Sequence, residues 1–539
     1  MPRPSDVADL VATASVEAPE RLALVEVGGR SLTWAALEDE VARVASGLNR
    51  LHVLGGHRVM IVLGNRLEFV TSYLGVLRAR AVAVPVNPKS NAYDLARMLA
   101  DSGARLVVSD GQTIGVVREA VELVRRAVAG SPVEGAGVLE PDLLARAQSA
   151  RVVLLDETPE QGETAYADLV AAPPVPVAAV PDPERLAVLL YTAGTSGRPR
   201  AAMLTHRALI ANIEQVSDME TPMMHGDDVV LGVLPLFHVY GLNAVLGSVL
   251  RHRAKLVLVD SFDPEGTLNL IDDEAISVLP VAPPVFAHWN ARDLLKERLG
   301  PVRLVLSGSA VLTSEVIKEF VSRTGLDVHQ GYGLTEAAPV VTTTLRGDDP
   351  RTGSVGSPLP GVEVRLVDEH TGHLEGDDPG EIQIRGDNLF SGYWPDGADG
   401  PAADGWWSTG DVGYLDPDGA LFLVDRVRDM VVVSGFNVYP SEVEDAIRAV
   451  DGVSEVAVIG VDDPETGEAV VAYVVPFASA GDPAALEAAV AEHVSTRLAR
   501  FKQPSRIEVV DTLPTTVTGR VEKGRLRGIE RRRALGLLD

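Results

Sequence analysis

The stretch from Tyr191 to His206, Y-T-A-G-T-S-G-R-P-R-A-A-M-L-T-H, constrains the fold of this chain more than any other. The apolar run Leu186–Leu190 precedes it and predicts a buried strand. A loop rich in glycine and hydroxyl groups follows, with Arg200 just behind it, and Thr205 is placed to cap a helix. A strand, a glycine–hydroxyl loop, a basic residue and a helix are together typical of a site that binds polyphosphate.

Each residue type in this loop suits a phosphate for its own reason. Glycines let backbone N–H groups approach the oxygens, hydroxyls add donors, and an arginine neutralises charge. The loop is not a Walker loop, because no G-K-S/T follows its second glycine. The phosphate-binding residues expected here are Thr192, Gly194, Thr195, Ser196, Gly197 and Arg200.

Composition excludes several classes of protein. A chain of 539 residues is too long for one core, so two or more domains are expected. The net charge of −28 argues against nucleic acid or an anionic membrane as the main partner. The absence of cysteine excludes disulfides and a thiol nucleophile. The first residues lack the apolar core of a signal peptide, so a cytoplasmic location is expected.

One run, Val229–Leu250, carries no charged residue and is long enough to be weighed as a membrane span. It also holds Pro235, His238 and Asn243, which a lipid-facing helix would not favour. We interpret the run as a buried, site-forming segment and predict no membrane span.

Elements alternate in the first 180 residues, which predicts parallel α/β layers. The helical and strand patterns include Trp34–Leu48, Arg58–Leu63 and Leu67–Ala79. The Ala/Pro/Val-rich region Ser131–Pro181 is interpreted as a variable connection containing one strand, Val152–Leu155.

Two further predicted strands run into loops that contain glycine and polar residues. The strand Val302–Ser307 runs into Gly308-Ser309-Ala310, and Val328–Gln330 runs into Gly331-Tyr332-Gly333-Leu334-Thr335-Glu336. Two glycines that bracket a tyrosine would expose its ring for stacking on a purine. Thr335 can donate to the α-phosphate, and Glu336 supplies the hard oxygen that Mg²⁺ prefers.

Over its sixteen residues, Tyr191–His206 resembles the nucleotide-binding signature of the adenylate-forming (ANL) superfamily. That superfamily includes acyl-CoA synthetases, nonribosomal adenylation domains and beetle luciferases, and usually shows Y-T-S-G-T-T-G-x-P-K-G-V-x-x-T-H. This chain departs from it with Arg200 in place of lysine and Ala201 in place of glycine. Other motifs extend the resemblance over nearly the whole chain, and the loop Ser434–Pro440 looks most like the long-chain acyl-CoA synthetase branch.

The resemblance implies a large N-terminal domain of layered sheets and helices, residues 1–427, and a small mobile α+β lid, residues 428–539. The hinge between them would be Arg428. By the same resemblance, residues near catalysis are His238, which positions the substrate in P-L-F-H-V-Y-G, together with Thr335, Glu336 and Arg520, the last replacing the usual lysine.

The remaining implied roles concern nucleotide and CoA. Asp411 in S-T-G-D and Arg426 would contact the ribose, and Gly435 and Phe436 would line the pantetheine tunnel. The adenine- and acyl-binding residues would be Gly308, Ser309, Ala310, Gln330, Gly331, Tyr332 and Gly333.

The main hypothesis is an acyl-CoA ligase that uses ATP, Mg²⁺ and coenzyme A and passes through an acyl-adenylate. The small residues Gly308, Ala310, Ala337 and Ala338 predict a medium-to-large acyl group, and a homodimer is a family-level expectation. In the first alternative the enzyme accepts a preformed acyl-adenylate and forms only the thioester, because arginine at 200 and 520 weakens adenylation. Composition alone could also explain the arginines, since only six of the 48 Lys and Arg residues are lysine.

Two more alternatives stay open at this stage. One is a non-catalytic binder of nucleotide or acyl-adenylate, against which the retained Thr335, Glu336 and Asp411 argue. The other is a stand-alone adenylation enzyme that serves a separate carrier protein instead of CoA.

Overall fold

A computed structural model of the chain describes residues 4–129, 141–176, 181–193, 199–309, 312, 314–346, 353–367, 380–426, 431–438, 440–477, 482–514, 521 and 523–534. By internal contacts the chain divides into two compact units. The first comprises residues 1–191 and 201–424, and the second comprises residues 192–200 and 425–539. The boundary predicted at 427/428 lies outside the described residues and stays a prediction.

Strands in the described residues are, in chain order, β1 (Leu22–Glu26), β2 (Ser31–Thr33), β3 (Arg58–Val62), β4 (Val82–Pro85), β5 (Leu106–Ser109), β6 (Arg151–Leu154), β7 (Thr164–Ala165), β8 (Leu186–Ala193), β9 (Pro199–Thr205), β10 (Val229–Gly232), β11 (Lys255–Leu258), β12 (Val278–Val281), β13 (Leu304–Ser307), β14 (Val328–Gly333), β15 (Val340–Thr343), β16 (Ser357–Pro358), β17 (Glu363–Val367), β18 (Gly380–Arg385), β19 (Trp407–Leu415), β20 (Leu421–Arg426), β21 (Val431–Val433), β22 (Phe436–Val438), β23 (Val453–Asp463), β24 (Gly467–Pro476) and β25 (Arg506–Val509).

Helices in the same residues are α1 (Asp9–Glu17), α2 (Trp34–Arg50), α3 (Leu67–Arg78), α4 (Ala92–Ser102), α5 (Ile114–Val128), α6 (Pro141–Gln148), α7 (Tyr166–Val170), α8 (His206–Ser217), α9 (Ser248–His252), α10 (Pro264–Asp273), α11 (Pro283–Asn290), α12 (Leu295–Arg298), α13 (Ser314–Thr324), α14 (Pro440–Arg448), α15 (Pro483–Arg497) and α16 (Lys523–Ala534). A π-helical segment spans Tyr240–Gly247, and short 3-10 turns span Thr335–Ala337 and Arg500–Lys502.

Two large sheets organise the first unit. One has the strand order β7-β6-β5-β3-β4-β8-β9, and the other has the order β16-β15-β14-β13-β12-β10-β11-β1-β2. The second sheet is parallel from β14 through β1 and antiparallel at its edges, at β2, β15 and β16. A four-stranded sheet, β17-β18-β19-β20, completes the strands of this unit. The predicted parallel α/β layers are therefore confirmed.

The second unit is a small α+β body with its own apolar core. Its strands run in the order β22-β21-β24-β23, and β25 pairs with β24 in parallel. The core beneath them includes the buried Val458, Val474 and Val490. A large α/β part and a smaller α+β part agree with the fold class expected from the sequence.

Helix starts follow the capping rules where the sequence supplies a short polar side chain. The hydroxyl of Thr205 accepts the N–H of Ala208 at 3.2 Å at the start of α8, as predicted. Thr33 caps α2 at 3.2 Å and Asn91 caps α4 at 2.8 Å in the same way.

Two expectations about the chain path need correction. The region Ser131–Pro181 holds more than one strand, because α6, β7 and α7 accompany β6. The phosphate loop does not pass directly into a helix either, since β9 lies between the loop and α8, and Arg200 is part of β9.

The uncharged run Val229–Leu250 is built as β10, a turn, the π-helical segment and part of α9. Among the described residues, no helix combines the length and the apolar character needed to cross a bilayer. The interpretation of this run as a buried segment is confirmed by residues such as Val230, Leu236 and Leu246, which are at most 1% exposed.

Candidate active site

The predicted site residues of the first unit gather at the carboxyl edge of the nine-stranded sheet. Register aligns the strand ends there: Gly232 pairs with Leu258, and Ser307 pairs with Gln330. The chain runs from β10 to β11 on one side, while β12, β13 and β14 extend the sheet on the other side. Such a reversal of direction leaves a crevice at the carboxyl ends, where α/β proteins bind ligands.

His238 lies in the loop after β10, directly before the π-helical segment. Its Nδ1 accepts the backbone N–H of Tyr240 at 3.3 Å, so the neutral ring carries its proton on Nε2. Burial lowers the pKa of His238 to about 4. The ring is therefore an uncharged hydrogen-bond donor at neutral pH.

The strand end at Gly308 meets the same segment. A Cβ added to Gly308 would lie 2.7 Å from Cε1 of Tyr240, so a side chain at 308 would displace that ring. The next residue, Ser309, has φ +72°, a left-handed conformation that costs a non-glycine residue about 1 kcal/mol or more. Strained backbone of this kind clusters at functional sites.

Tyr332 at the end of β14 corrects one expectation. Its side chain is only 7% exposed, and its hydroxyl donates to Oδ2 of Asp411 at 2.6 Å. The flanking glycines are required for backbone approach rather than for ring exposure. A Cβ on Gly331 would lie 2.7 Å from the carbonyl oxygen of Thr342, and one on Gly333 would lie 2.3 Å from that of Pro339.

Two hydrogen bonds fix Asp411, which lies in β19. One carboxylate oxygen accepts from Tyr332, and the backbone N–H donates to the hydroxyl of Thr409 at 3.1 Å. The structure thus brings Tyr332 and Asp411 together, although 79 residues separate them in the chain.

Glu336 sits in the 3-10 turn after β14, next to the half-buried Thr335. Its side chain is 7% exposed, and its Oε1 accepts the hydroxyl of Tyr393 at 2.5 Å. The turn is linked to the π-helical segment, because Nδ2 of Asn243 donates to the carbonyl oxygen of Ala338 at 2.7 Å.

The described parts of the phosphate loop are its two ends, both in the second unit. The hydroxyl of Thr192 donates to the carbonyl oxygen of Arg200 at 3.4 Å, and the Arg200 side chain is half-buried. Gln330 lies in β14, where its backbone N–H donates to the hydroxyl of Thr344 at 2.9 Å.

In the second unit, Gly435 and Ser434 form the two-residue turn between β21 and β22. Their φ values of +81° and +51° are those of a type I′ hairpin turn, which favours glycine. The turn conformation explains why glycine is favoured at position 435. The part of Gly435 in a pantetheine tunnel stays a prediction. The ring of Phe436 packs 4.7 Å from that of Phe501.

Several predicted residues cannot be compared with the structure. Gly194, Thr195, Ser196, Gly197, Ala310, Arg428 and Arg520 lie outside the described residues, and for Arg426 the backbone alone is described, at the end of β20.

Two residues near the site were not predicted. Asn65, 5% exposed, accepts the N–H of Leu236 at 2.9 Å and donates to the carbonyl oxygens of Gly232 and Leu234, both at 2.9 Å. It therefore holds the loop that leads to His238. The other is Tyr393, the partner of Glu336. Asn65 could have been noticed as a polar residue just after a buried strand, whereas Tyr393 gave no signal of its own.

Two protein-family models match the chain. The model of the AMP-binding enzyme family matches residues 11–394, and that of the AMP-binding enzyme C-terminal domain matches residues 442–520. The chain belongs to the AMP-binding enzyme family.

Named relatives of this AMP-binding enzyme are CoA ligases. A 4-coumarate–CoA ligase-like 9 of Oryza sativa subsp. japonica is 33% identical, with 94% of this chain and 90% of the relative covered. The long-chain-fatty-acid–CoA ligase of Bacillus subtilis (strain 168) is 31% identical, with 98% and 95% covered. The crystal structure of ATP-bound MatB from Rhodopseudomonas palustris is 31% identical over 97% of this chain and 98% of that one, with a TM-score of 0.68. The predicted superfamily is confirmed, and the enzyme is an acid–thiol ligase of the AMP-forming type.

Proposed function

We propose that this enzyme joins a medium-to-large carboxylic acid to coenzyme A through an acyl-adenylate, using side chains at the carboxyl edge of the nine-stranded sheet. The observation that carries the proposal is the meeting at this edge of a neutral His238, the Tyr332–Asp411 pair and the buried Glu336. A donor for a carboxylate, an acceptor for a ribose and a carboxylate for a metal are what adenylate chemistry requires.

In the first half-reaction, a carboxylate oxygen of the acid attacks the α-phosphorus of ATP, and the bond to the bridging oxygen breaks as pyrophosphate leaves. The acid is already ionised and needs no general base. His238 would donate from Nε2 to the carboxylate and orient it, while Thr335 would donate to the α-phosphate. The task of these residues is positioning and electrostatic stabilisation.

Asp411 is proposed to accept the ribose hydroxyls, because a carboxylate serves this purpose in other nucleotide sites. Tyr332 already donates to one of its oxygens, which fixes the orientation of the carboxylate before nucleotide arrives. The adenine side of the crevice would be lined by the backbone of Gln330, Gly331 and Gly333 in β14.

Glu336 fits a magnesium site of the kind that nucleotide-dependent enzymes use. Among the described residues there is no group of three or more His, Asp and Glu side chains that would form an all-protein metal cage. Mg²⁺ in such enzymes is held by one or two carboxylates plus substrate phosphates, so a single buried glutamate suffices. When bound there, Mg²⁺ would neutralise charge on the phosphates.

In the second half-reaction, the CoA sulfur attacks the acyl carbonyl carbon, AMP leaves with the electron pair of the broken C–O bond, and the thiol proton passes to solvent. Gly435 and Phe436 are proposed to guide the thiol arm. Rotation about Arg428 would exchange Arg520, used in the first half-reaction, for this loop in the second.

The arginines at 200 and 520 raised the alternative of an enzyme that forms only the thioester. The named relatives are CoA ligases, and their names do not favour that alternative. Lys523, three residues after Arg520, does not readily replace the usual lysine of position 520, because its Nζ is paired with Oε1 of Glu444 at 2.7 Å. We therefore propose that both half-reactions are catalysed with arginine in these positions.

The identity of the acid follows only as a class. One relative is named for the aromatic 4-coumarate and another for long-chain fatty acids, and the small residues Gly308 and Ala337 are compatible with either shape. A cytoplasmic location and a homodimer also stay predictions.

The test is a pair of assays on the purified full-length protein. The first measures pyrophosphate release from ATP and Mg²⁺ with aromatic and fatty acids, and the second measures CoA consumption with synthetic acyl-adenylates. We expect activity in both. Activity in the second assay alone would overturn the proposal in favour of thioester formation only, and the double variant Arg200→Lys/Arg520→Lys should then revive the first. A carrier protein in place of CoA tests the remaining acceptor.

A further inference from the structure

The buried contact between Tyr393 and Glu336 lies at the sheet edge, and the proposed chemistry assigns it no task. Tyr393 is 5% exposed and Glu336 is 7% exposed, and the phenol hydroxyl donates to Oε1 at 2.5 Å. A hydrogen bond to an ionised carboxylate is shorter and stronger than a neutral one, and it fixes the direction of the carboxylate.

The chain segment that carries Tyr393 also holds the main chain of Glu336. The N–H of Phe390 donates to the carbonyl oxygen of Glu336 at 2.9 Å, and the Phe390 ring packs edge-on against Tyr393 with centroids 5.0 Å apart. Glu336 is therefore held at its carboxylate and at its backbone by one segment.

This segment is in turn hydrogen-bonded to β9, the strand that follows the phosphate loop. The backbone N–H of Met203 donates to the carbonyl oxygen of Gly392, and the N–H of Ser391 donates to the carbonyl oxygen of Met203, both at 3.0 Å. The N–H of Trp394 donates to the carbonyl oxygen of Ala201 at 2.8 Å. β8, the strand before the phosphate loop, contacts the same residue as this segment, because the Tyr191 hydroxyl donates to Oδ2 of Asp101 at 2.7 Å. The Trp394 indole N–H donates to the carbonyl oxygen of that same Asp101, at 3.1 Å.

We propose that Tyr393 is a positioning residue that fixes the Glu336 carboxylate relative to the strands on either side of the phosphate loop. The inference rests on the proposed role of Glu336 in holding Mg²⁺ and phosphate. A misplacement of about 1 Å in such a group costs roughly a hundredfold in rate. Only the adenylation half-reaction uses the metal and the polyphosphate, so Tyr393 matters for that step alone.

The test combines a double-mutant cycle with the two half-reaction assays. Tyr393→Phe keeps the ring and removes the hydroxyl, and we expect it to slow pyrophosphate release at least tenfold while thioester formation from an acyl-adenylate stays within about twofold. Glu336→Gln should slow pyrophosphate release further, and adding Tyr393→Phe to it should cause no additional loss. Tyr166→Phe is the matched control, since that hydroxyl lies 2.7 Å from the hydroxyl of Thr71, away from the site.

A binding measurement gives a readout that does not depend on turnover. Calorimetric titration with a non-hydrolysable ATP analogue, with and without Mg²⁺, should show that Tyr393→Phe loses the metal-dependent gain in affinity and keeps the metal-free affinity. If Tyr393→Phe does not fold, Tyr393→Met, whose adaptable apolar side chain also lacks the hydroxyl donor, replaces it in the same cycle.

Three outcomes would overturn the inference: additive losses in the double variant, equal slowing of both half-reactions, or an unchanged metal dependence of binding. A wild-type enzyme without pyrophosphate release would instead count against the proposed function, and the binding titration would still decide the role of Tyr393.

Discussion

At the scale of single residues, the absence of a side chain at Gly308 leaves room for the ring of Tyr240. The nearest ring atom would lie 2.7 Å from an added Cβ, closer than real Cβ contacts allow. Since Gly308 directly follows β13 at the sheet edge, the position of the Tyr240 ring bears directly on the room left for an acyl group.

We predict that Gly308→Ala lowers kcat/KM at least tenfold for the bulkiest acid accepted and much less for a short acid, because the displaced Tyr240 ring would occupy acyl space. The measurement is steady-state CoA-ester formation over a series of acids. Gly115→Ala in α5 is the control, since no atom beyond the adjacent residues and the surrounding helix backbone lies within 4 Å of that Cβ position. Adding Tyr240→Ala should restore the bulky acid. An equal loss for all acids would contradict the explanation.

At the scale of elements, the junction between β9 and α8 is held by His206, the last residue of the Tyr191–His206 stretch. His206 is fully buried, and its Nδ1 accepts the N–H of Val7 at 3.2 Å. Its Nε2 lies 3.0 Å from Nη2 of Arg185. The residue thus ties the N-terminal segment to the start of α8, which is a structural task.

Burial, followed by the charge of Arg185, lowers the pKa of His206 to about 3. Between this value and about 6.5, the usual value for histidine, the unfolded chain binds a proton that the folded chain does not. The free energy of unfolding therefore falls as the pH is lowered through this window, by up to about 1.4 kcal/mol per pH unit for the one group.

We predict that His206→Asn is less stable than wild type near pH 7 and loses less stability on acidification, with a slope smaller by about one proton. Urea unfolding between pH 6.5 and 4.5, followed by the fluorescence of the buried Trp34 and Trp289, measures both quantities. The same change at the exposed His52 is the control. Identical slopes for wild type and His206→Asn would show that this histidine is not the group responsible.

At the scale of the whole molecule, the chain forms two compact bodies, and the proposed reaction needs the smaller one to serve two half-reactions. The predicted hinge at Arg428 is the position where backbone angles would change. Because proline fixes φ near −65°, it is a direct probe of that requirement.

We predict that Arg428→Pro retains at most one half-reaction at a normal rate and slows the other at least tenfold. Arg428→Ala, which loses the same side chain but keeps a free φ, should retain both. The two half-reaction assays measure this difference. Unchanged rates in Arg428→Pro would place the hinge elsewhere.

Several elements could be predicted from local pattern because their causes are local. The periodicity of Trp34–Leu48, the apolar run Leu186–Leu190 and the cap at Thr205 each depend on residues a few positions apart, and all three appear in the structure. The strand pair β21 and β22 and the highly polar helix α16 were not predicted, since neither shows a strong period of its own.

The sequence by itself determined the family, the parallel α/β layers and the set of motif residues, because those are properties of short segments. Tertiary structure alone decided that β9 separates the phosphate loop from α8, that the Tyr332 ring is buried against Asp411, and that Tyr393 holds Glu336. The two side-chain contacts join residues 57 and 79 positions apart in the chain. β9 neighbours β8 in its sheet and is also hydrogen-bonded to the segment at Gly392, about 190 residues away. The partner of a buried polar group is chosen by proximity in the fold, and spacing along the chain does not encode it.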